Sequence, residues 1–159
     1  MNLQEQHTLA SLIRNQRWAA LATQGPDGPE ASWVAYALEP GFAGFLLHVS
    51  TLAAHTRNLL ADPRAGLGVS APEQSGEDPQ TLARLTIQGE VMALSRDTEA
   101  YQNAVQLYQT WLPAAAPRFE FDDFLLMRLM PMRIRFVGGF ARAYTLDAAG
   151  LQAVAQRTS

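Results

Sequence analysis

A chain of 159 residues with 48% hydrophobic residues and a formal net charge of −3 suits one globular domain, and it carries no basic field to hold a nucleic-acid backbone. The absence of cysteine excludes disulfides and thiolate metal ligands, so no metal site is expected. Glu5 and Gln6 precede any apolar run, unlike a signal peptide, and no later run approaches a membrane span, so the expectation is a cytoplasmic protein without nucleic-acid or membrane partners.

Leu3, Leu9, Leu12 and Ile13 form one stripe and predict a helix over 3–15. Trp18 to Thr23, Ala31 to Leu38 and Phe42 to Val49 are β-prone, and the turn residues Gly25-Pro26-Asp27-Gly28 and Glu39-Pro40-Gly41 between them make an antiparallel meander. In "STLAAHTRNLLADPR", Ser50 or Thr51 is placed to cap a helix, Leu52, Leu59 and Leu60 give it an apolar face, and Asp62-Pro63 ends it. His55 and Arg57 stand early in that helix, where its dipole disfavours cations by about 0.3–1 kcal/mol. Two arrangements remove the conflict: both side chains extend into water, or an anion such as a phosphate sits against the free N–H groups.

"RAGLGVSAP" reads as a short strand and "EQSGEDPQ" as a polar loop. In "TLARLTIQGEVMAL", Leu82, Arg84, Thr86 and Gln88 alternate with Ala83, Leu85 and Ile87, the pattern of a strand with two unlike faces, and Gly89 marks a bulge or a close approach. "SRDTEAYQNAVQLYQTWL" predicts a helix capped by Ser95 or Asp97 and stopped by Pro113. Asp122-Asp123 falls in a turn, in a capping role. "FLLMRLM" and "MRIRFVGGFARAYTL" are two β runs on either side of Pro131, and "DAAGLQAVAQRTS" a frayed helix. Trp33 and Trp111 are assigned to packing. Many short strands with few helices favour a small closed or partly closed β-barrel over a βαβ sheet.

Hydrolytic and nucleotide motifs are missing: His7, His48 and His55 form no His-x-x-x-His pair, there is no Gly-x-Ser-x-Gly elbow or P-loop, and Gly138-Gly139 lacks the spacing of a dinucleotide fingerprint. What remains is the stretch from Ser50 to Arg64 followed by Val137-Gly138-Gly139-Phe140-Ala141-Arg142-Ala143. Together these resemble the FMN-binding split-barrel family related to pyridoxamine 5'-phosphate oxidase, nearest its haem-utilisation branch, over roughly residues 15–146.

The resemblance implies a mainly β fold, a six-stranded antiparallel split β-barrel with a few flanking helices, forming a single FMN-binding domain over 1–159 with its core at about 15–146. It further implies FMN as cofactor, a homodimer, and oxidoreductase chemistry on an unidentified small-molecule substrate. Ser50, His55 and Thr56 would hold the phosphate with Arg57 nearby, and His48 and Val49 would contact the cofactor at the end of the preceding strand. Ser32, Trp33, Val34 and Ala35 would run along the ring and ribityl chain, and Arg84 would face the flavin across a strand. Gly138 and Gly139 fit a bulge and a site lining equally. The chain departs from the oxidase in having His55 in place of a lysine and no basic residue at Ser32 or Ala37, and nothing after Tyr144 supplies the histidine that holds vitamin B6 there. No catalytic residue is assigned. Two alternatives stand beside the flavoprotein: a haem-binding or haem-degrading protein of the same fold, and a non-catalytic dimeric binding module that has lost flavin affinity. Because a barrel of about six strands fills its interior with side chains, the tricyclic flavin is expected to lie outside it, against the surface that a two-fold dimer supplies twice.

Overall fold

Alternation of side chains along the strands, inward and outward in turn, decides the architecture of the computed structural model, which describes residues 1–139 and 142–158. Phe140 and Ala141, part of the late glycine motif, and Ser159 lie outside the described residues. The chain opens with α1 (Leu3–Asn15), whose start is fixed by a capping box: Asn2 Oδ1 accepts from Glu5 N–H, and the Glu5 carboxylate accepts from Asn2 N–H. Then come β1 (Trp18–Gly25), β2 (Gly28–Ala35), β3 (Ala37–Leu38), β4 (Phe45–Ser50), α2 (Ala54–Ala61), β5 (Arg64–Ser70), β6 (Arg84–Ala93), α3 (Glu99–Trp111), β7 (Phe124–Val137), β8 (Ala143–Asp147) and α4 (Ala148–Arg157).

All strand pairs are antiparallel, in the order β2-β1-β5-β6-β7-β4-β3, with β8 added on β7. Only Tyr36 separates β2 from β3, so the two form one bent strand whose first part pairs with β1 and whose last two residues pair with β4. That strand carries the sheet round on itself. Counted so, six strands make the expected split barrel and β8 lies on it as an extra strand.

Ala19, Leu21, Leu67, Val69, Leu85, Ile87, Leu129, Ile134 and Phe136 fill the interior, joined by Leu9 and Ile13 of α1 and Leu151 and Val154 of α4. A second cluster lies on the other side of β4, where Ala37, Leu46 and Leu126 pack against Ala104 and Tyr108 of α3. Burial on both faces explains why "FLLHV" in β4 is apolar with hardly any alternation.

Several boundaries differ from expectation, each for a local reason. β7 runs through Pro131 as one strand, because the ladder shifts register at Gln88/Gly89 opposite it and asks no N–H of the proline. Gly89 is obligatory there, since a Cβ would lie 2.1 Å from the Met130 carbonyl oxygen. β4 begins only at Phe45, after a 3-10 turn at Pro40–Phe42 in which Gly41 and Phe42 both have positive φ. α2 starts at Ala54 with Ala53 as an N-cap that makes no side-chain bond, because Ser50 and Thr51 are committed to the 121–124 turn. α3 is capped by Thr98 rather than by Ser95 or Asp97. The C-terminal helix does not fray in place: Asp147 caps α4, Leu151, Val154 and Ala155 enter the core, and Arg14 donates to the Thr158 carbonyl at 2.8 Å. Among the described residues no helix is long and apolar enough to cross a membrane.

Candidate functional site

The outward side chains of β1, β5, β6 and β7 make one continuous face. Cross-strand register aligns Ala20, Gly68, Thr86 and Arg135 in one row and Ala22, Gly66, Gln88 and Arg133 in the next. Alanine and glycine leave the β1–β5 half nearly flat, and four adjacent strands span about 14 Å at ordinary strand spacing. Trp18 and Trp33 bound this plate on the β1–β2 side, stacked at 6.0 Å with their planes 12° apart and both more than half exposed. Arg84, Arg133 and Arg135 bound it on the β6–β7 side. Three adjoining hollows, of about 650, 240 and 570 Å³, tile the face. Arg135 and Thr86 border both the first and second of these, and Arg133 and Gln88 both the second and third. The Arg84 guanidinium donates to the Gln80 and Leu82 carbonyls at 2.9 and 3.0 Å, which holds it at the rim under the 71–83 loop.

Two of the residues singled out in the sequence, Trp33 and Arg84, meet on this plate. The packing role assigned to Trp33 gives way to exposure beside Trp18. The rest are placed elsewhere. Val34 and Val49 are buried in the barrel core; Ser32 shares the inward side of β2 with Val34, and its buried hydroxyl has no partner; Ala35 is half-buried. His48 lies on the outer side of β4 beneath α3, 8% exposed and stacked on Phe119 at 3.8 Å, with neither ring nitrogen bonded. Burial, with Arg118 and Arg96 nearby, pushes its pKa down to about 4.

Ser50, His55, Thr56 and Arg57 do gather around the start of α2, but not as a phosphate cradle. The Ser50 hydroxyl bonds the Asp123 carboxylate, and Thr51 N–H donates to the Asp123 carbonyl at 2.7 Å. A negative group thus already stands beside the hydroxyl expected to face the phosphate. The Arg57 guanidinium folds back onto the Leu52 carbonyl at 2.7 Å, and burial lowers the His55 pKa, favouring neutral imidazole. Thr56 is fully buried with its hydroxyl unpartnered. The early cations are accommodated locally, one by a carbonyl and one by neutrality.

A curled antiparallel barrel of this strand order, filled by its own side chains and carrying hollows on its outer face, defines a split-barrel protein. Residues 6–138 match the pyridoxamine 5'-phosphate oxidase family, and the chain belongs to it. The chain is 33% identical over 104 residues to the chloroplastic heme oxygenase HOZ of Arabidopsis thaliana, covering 62% of this chain and 29% of that protein. It is 28% identical over 105 residues to the heme oxygenase HutZ of Vibrio cholerae, covering 65% and 60%. A heme-binding protein from Mycobacterium smegmatis superposes with a TM-score of 0.81 at 31% identity, over 95% of this chain and 60% of that one. The chain therefore spans 29% and 60% of the two curated relatives. These relatives lie in the haem-utilisation branch.

They also correct the cofactor. The expectation of FMN, and with it of a flavoprotein oxidoreductase, is overturned by relatives named for haem. The chemistry at α2 agrees, since a dianionic phosphate there would face Asp123 without a free cation beside it.

The plate residues missed in the sequence, Trp18, Ala20, Ala22, Gly66, Gly68, Arg133 and Arg135, had one signal: small or cationic residues at period two in "WAALATQ", "RAGLGVS" and "MRIRF".

Proposed function

We propose that this chain binds haem on the outer plate of the barrel. The observation that carries the reading is the flat wall of Ala20, Ala22, Gly66 and Gly68 set between a stacked tryptophan pair and a row of arginines. A planar, largely apolar macrocycle with acidic groups on one edge fits such a surface in shape and in charge. Trp18 and Trp33 would pack against the ring edge, the small residues would let the backbone approach the plane, and the arginines would neutralise the acid groups. Haem supplies iron redox and dioxygen chemistry when bound; the residues on this face hold and orient the plane and exclude water from one side of it.

An open plate covers only one side of a flat ligand, and Trp18, Trp33 and Met132 expose apolar surface around it. A second copy of the chain related by a two-fold axis would cover the other side and give two equivalent sites. The relatives' names support haem as the ligand class.

Absorbance titration with haemin tests the reading. A saturable Soret band, whose midpoint moves about tenfold or more to higher haemin when Gly68 is replaced by valine, is the expected result, with sedimentation giving a dimer at micromolar concentration. Absorbance that rises without saturating, as for free haemin, refutes haem binding; a monomer that binds haemin tightly refutes the shared site.

A further inference from the structure

We propose that the plate selects tetrapyrrole dicarboxylates by their two acid groups, held by Arg133 and Arg135, and not by coordination of iron. This rests on the haem reading above and names how that site recognises its ligand class.

The first observation is a cluster of arginines that makes no ion pair among the described residues. Arg133 and Arg135 are two residues apart on β7, on the same side and about 7 Å apart along the strand. They stand opposite Gln88 and Thr86 on β6 and opposite Asp147 and Thr145 on β8, while Arg84 is paired with Val137, one step further along the same face. Asp147 accepts from Gly150 N–H as the cap of α4, and neither it nor Glu90, which lines the same hollow as Arg133, makes an ion pair with Arg133. The four ion pairs among the described residues use other arginines, namely Arg64, Arg96, Arg128 and Arg142. Arg84 bonds only backbone carbonyls, and neither Arg133 nor Arg135 has a partner among the described residues. Like charges side by side on a sheet face oppose folding, and an apolar plate raises the cost of leaving them unanswered. A ligand with two carboxylates removes that repulsion. The chain has no lysine: all 12 of its basic residues are arginines, whose planar forks take carboxylates two bonds at a time.

The second observation concerns iron. Imidazole and thiolate are the side chains that most often bind haem iron. The sequence has no cysteine, and its histidines all lie off the plate: His7 on the exposed side of α1, His48 beneath α3, His55 in α2. None borders the three hollows. The one sulfur there, in Met132, sits at the far end, beyond Arg133 from the tryptophan pair. Recognition on this face therefore falls to the π-surface and the acid groups, which iron-free porphyrins share.

The test titrates the purified chain with haemin, protoporphyrin IX and protoporphyrin IX dimethyl ester in one buffer, reading quenching of tryptophan fluorescence. Haemin and protoporphyrin IX are expected to bind within about threefold of each other, and the dimethyl ester at least about tenfold more weakly, the change for one lost charge-assisted contact. The exposed double variant R133Q/R135Q is expected to lose about tenfold or more for both acids with the ester unchanged. An ester that binds as tightly as the acid overturns the arginine clamp while leaving the haem reading intact. Haemin binding more than about tenfold tighter than protoporphyrin IX overturns recognition without iron. If no tetrapyrrole quenches the wild-type chain, this proposal falls together with the reading beneath it.

Discussion

Replacing His48 with leucine is expected to flatten the acid limb of the stability profile. His48 stacks on Phe119 at 3.8 Å, meets Phe124 at 4.9 Å and Tyr108 at 5.7 Å, and leaves both ring nitrogens without a hydrogen bond. Desolvation is the main cause of its depressed pKa, with Arg118 and Arg96 opposing a further positive charge. The folded value of about 4 lies below the ordinary 6.5, so above pH 6.5 both states are neutral and the shift contributes nothing. As pH falls, the unfolded chain takes up a proton that the folded chain resists, and stability is lost from about pH 6.5 down to pH 4. With those two values the loss is about 2 kcal/mol at pH 5 and about 3 kcal/mol once both states are protonated. Urea denaturation of wild type and His48→Leu at pH 7.5 and pH 5 isolates the effect. Whatever leucine changes in packing appears at both pH values, and the carboxylates titrate alike in both proteins. Wild type is expected to lose about 2 kcal/mol more than the variant between the two conditions. Parallel losses would refute a buried, neutral His48.

Three further substitutions separate the scaffold from the plate. Gly89→Ala places a Cβ against the Met130 carbonyl and is expected to cost about 1–3 kcal/mol or more in urea denaturation, as overpacking against backbone does; an unchanged midpoint would mean the bulge relaxes freely. Gly68→Val adds bulk beside Ala20, whose Cβ lies 3.7 Å from an added Cβ, so it should leave the melting temperature within a few degrees while weakening haemin about tenfold or more. Equal haemin affinity would move the ligand off this face. Arg14→Ala removes donors to the Thr158 and Ala155 carbonyls and the contact over the Phe42 ring at 5.1 Å. It is expected to cost about 1–3 kcal/mol and to speed hydrogen exchange in α4 relative to β6; uniform exchange rates would show that α4 is held by its apolar face alone.

Elements set by local chemistry were legible. α1 carries its own capping box and stripe, and the polar side of β6 alternates without a break from Arg84 to Glu90. Boundaries failed where a distant partner decided them. Pro131 reads as a break until Gly89, more than forty residues earlier in the chain, is seen opposite it, absorbing the bulge. Ser50 reads as a helix cap until Asp123, 73 residues away, claims its hydroxyl. β4 lacks alternation because α3 covers its second face, and that partner lies more than forty residues further along the chain.

The same asymmetry governs the site. Ala20, Gly68, Thr86 and Arg135 stand in one row only because the strand order β1-β5-β6-β7 sets them side by side; in the sequence each belongs to a separate, weak period-two pattern. A stretch such as "STLAAHTRN" is contiguous and therefore conspicuous, so the family was legible there. Family and ligand are separate questions, however, because the helix start binds an anion only if its N–H groups and cations are free. Here Arg57 is tied to a carbonyl, His55 is held toward neutrality, and Asp123 brings its own carboxylate. The Arg133 and Arg135 side chains, on the outer face of β7, make no hydrogen bond or ion pair among the described residues, and a ligand's acid groups go where charge is unanswered.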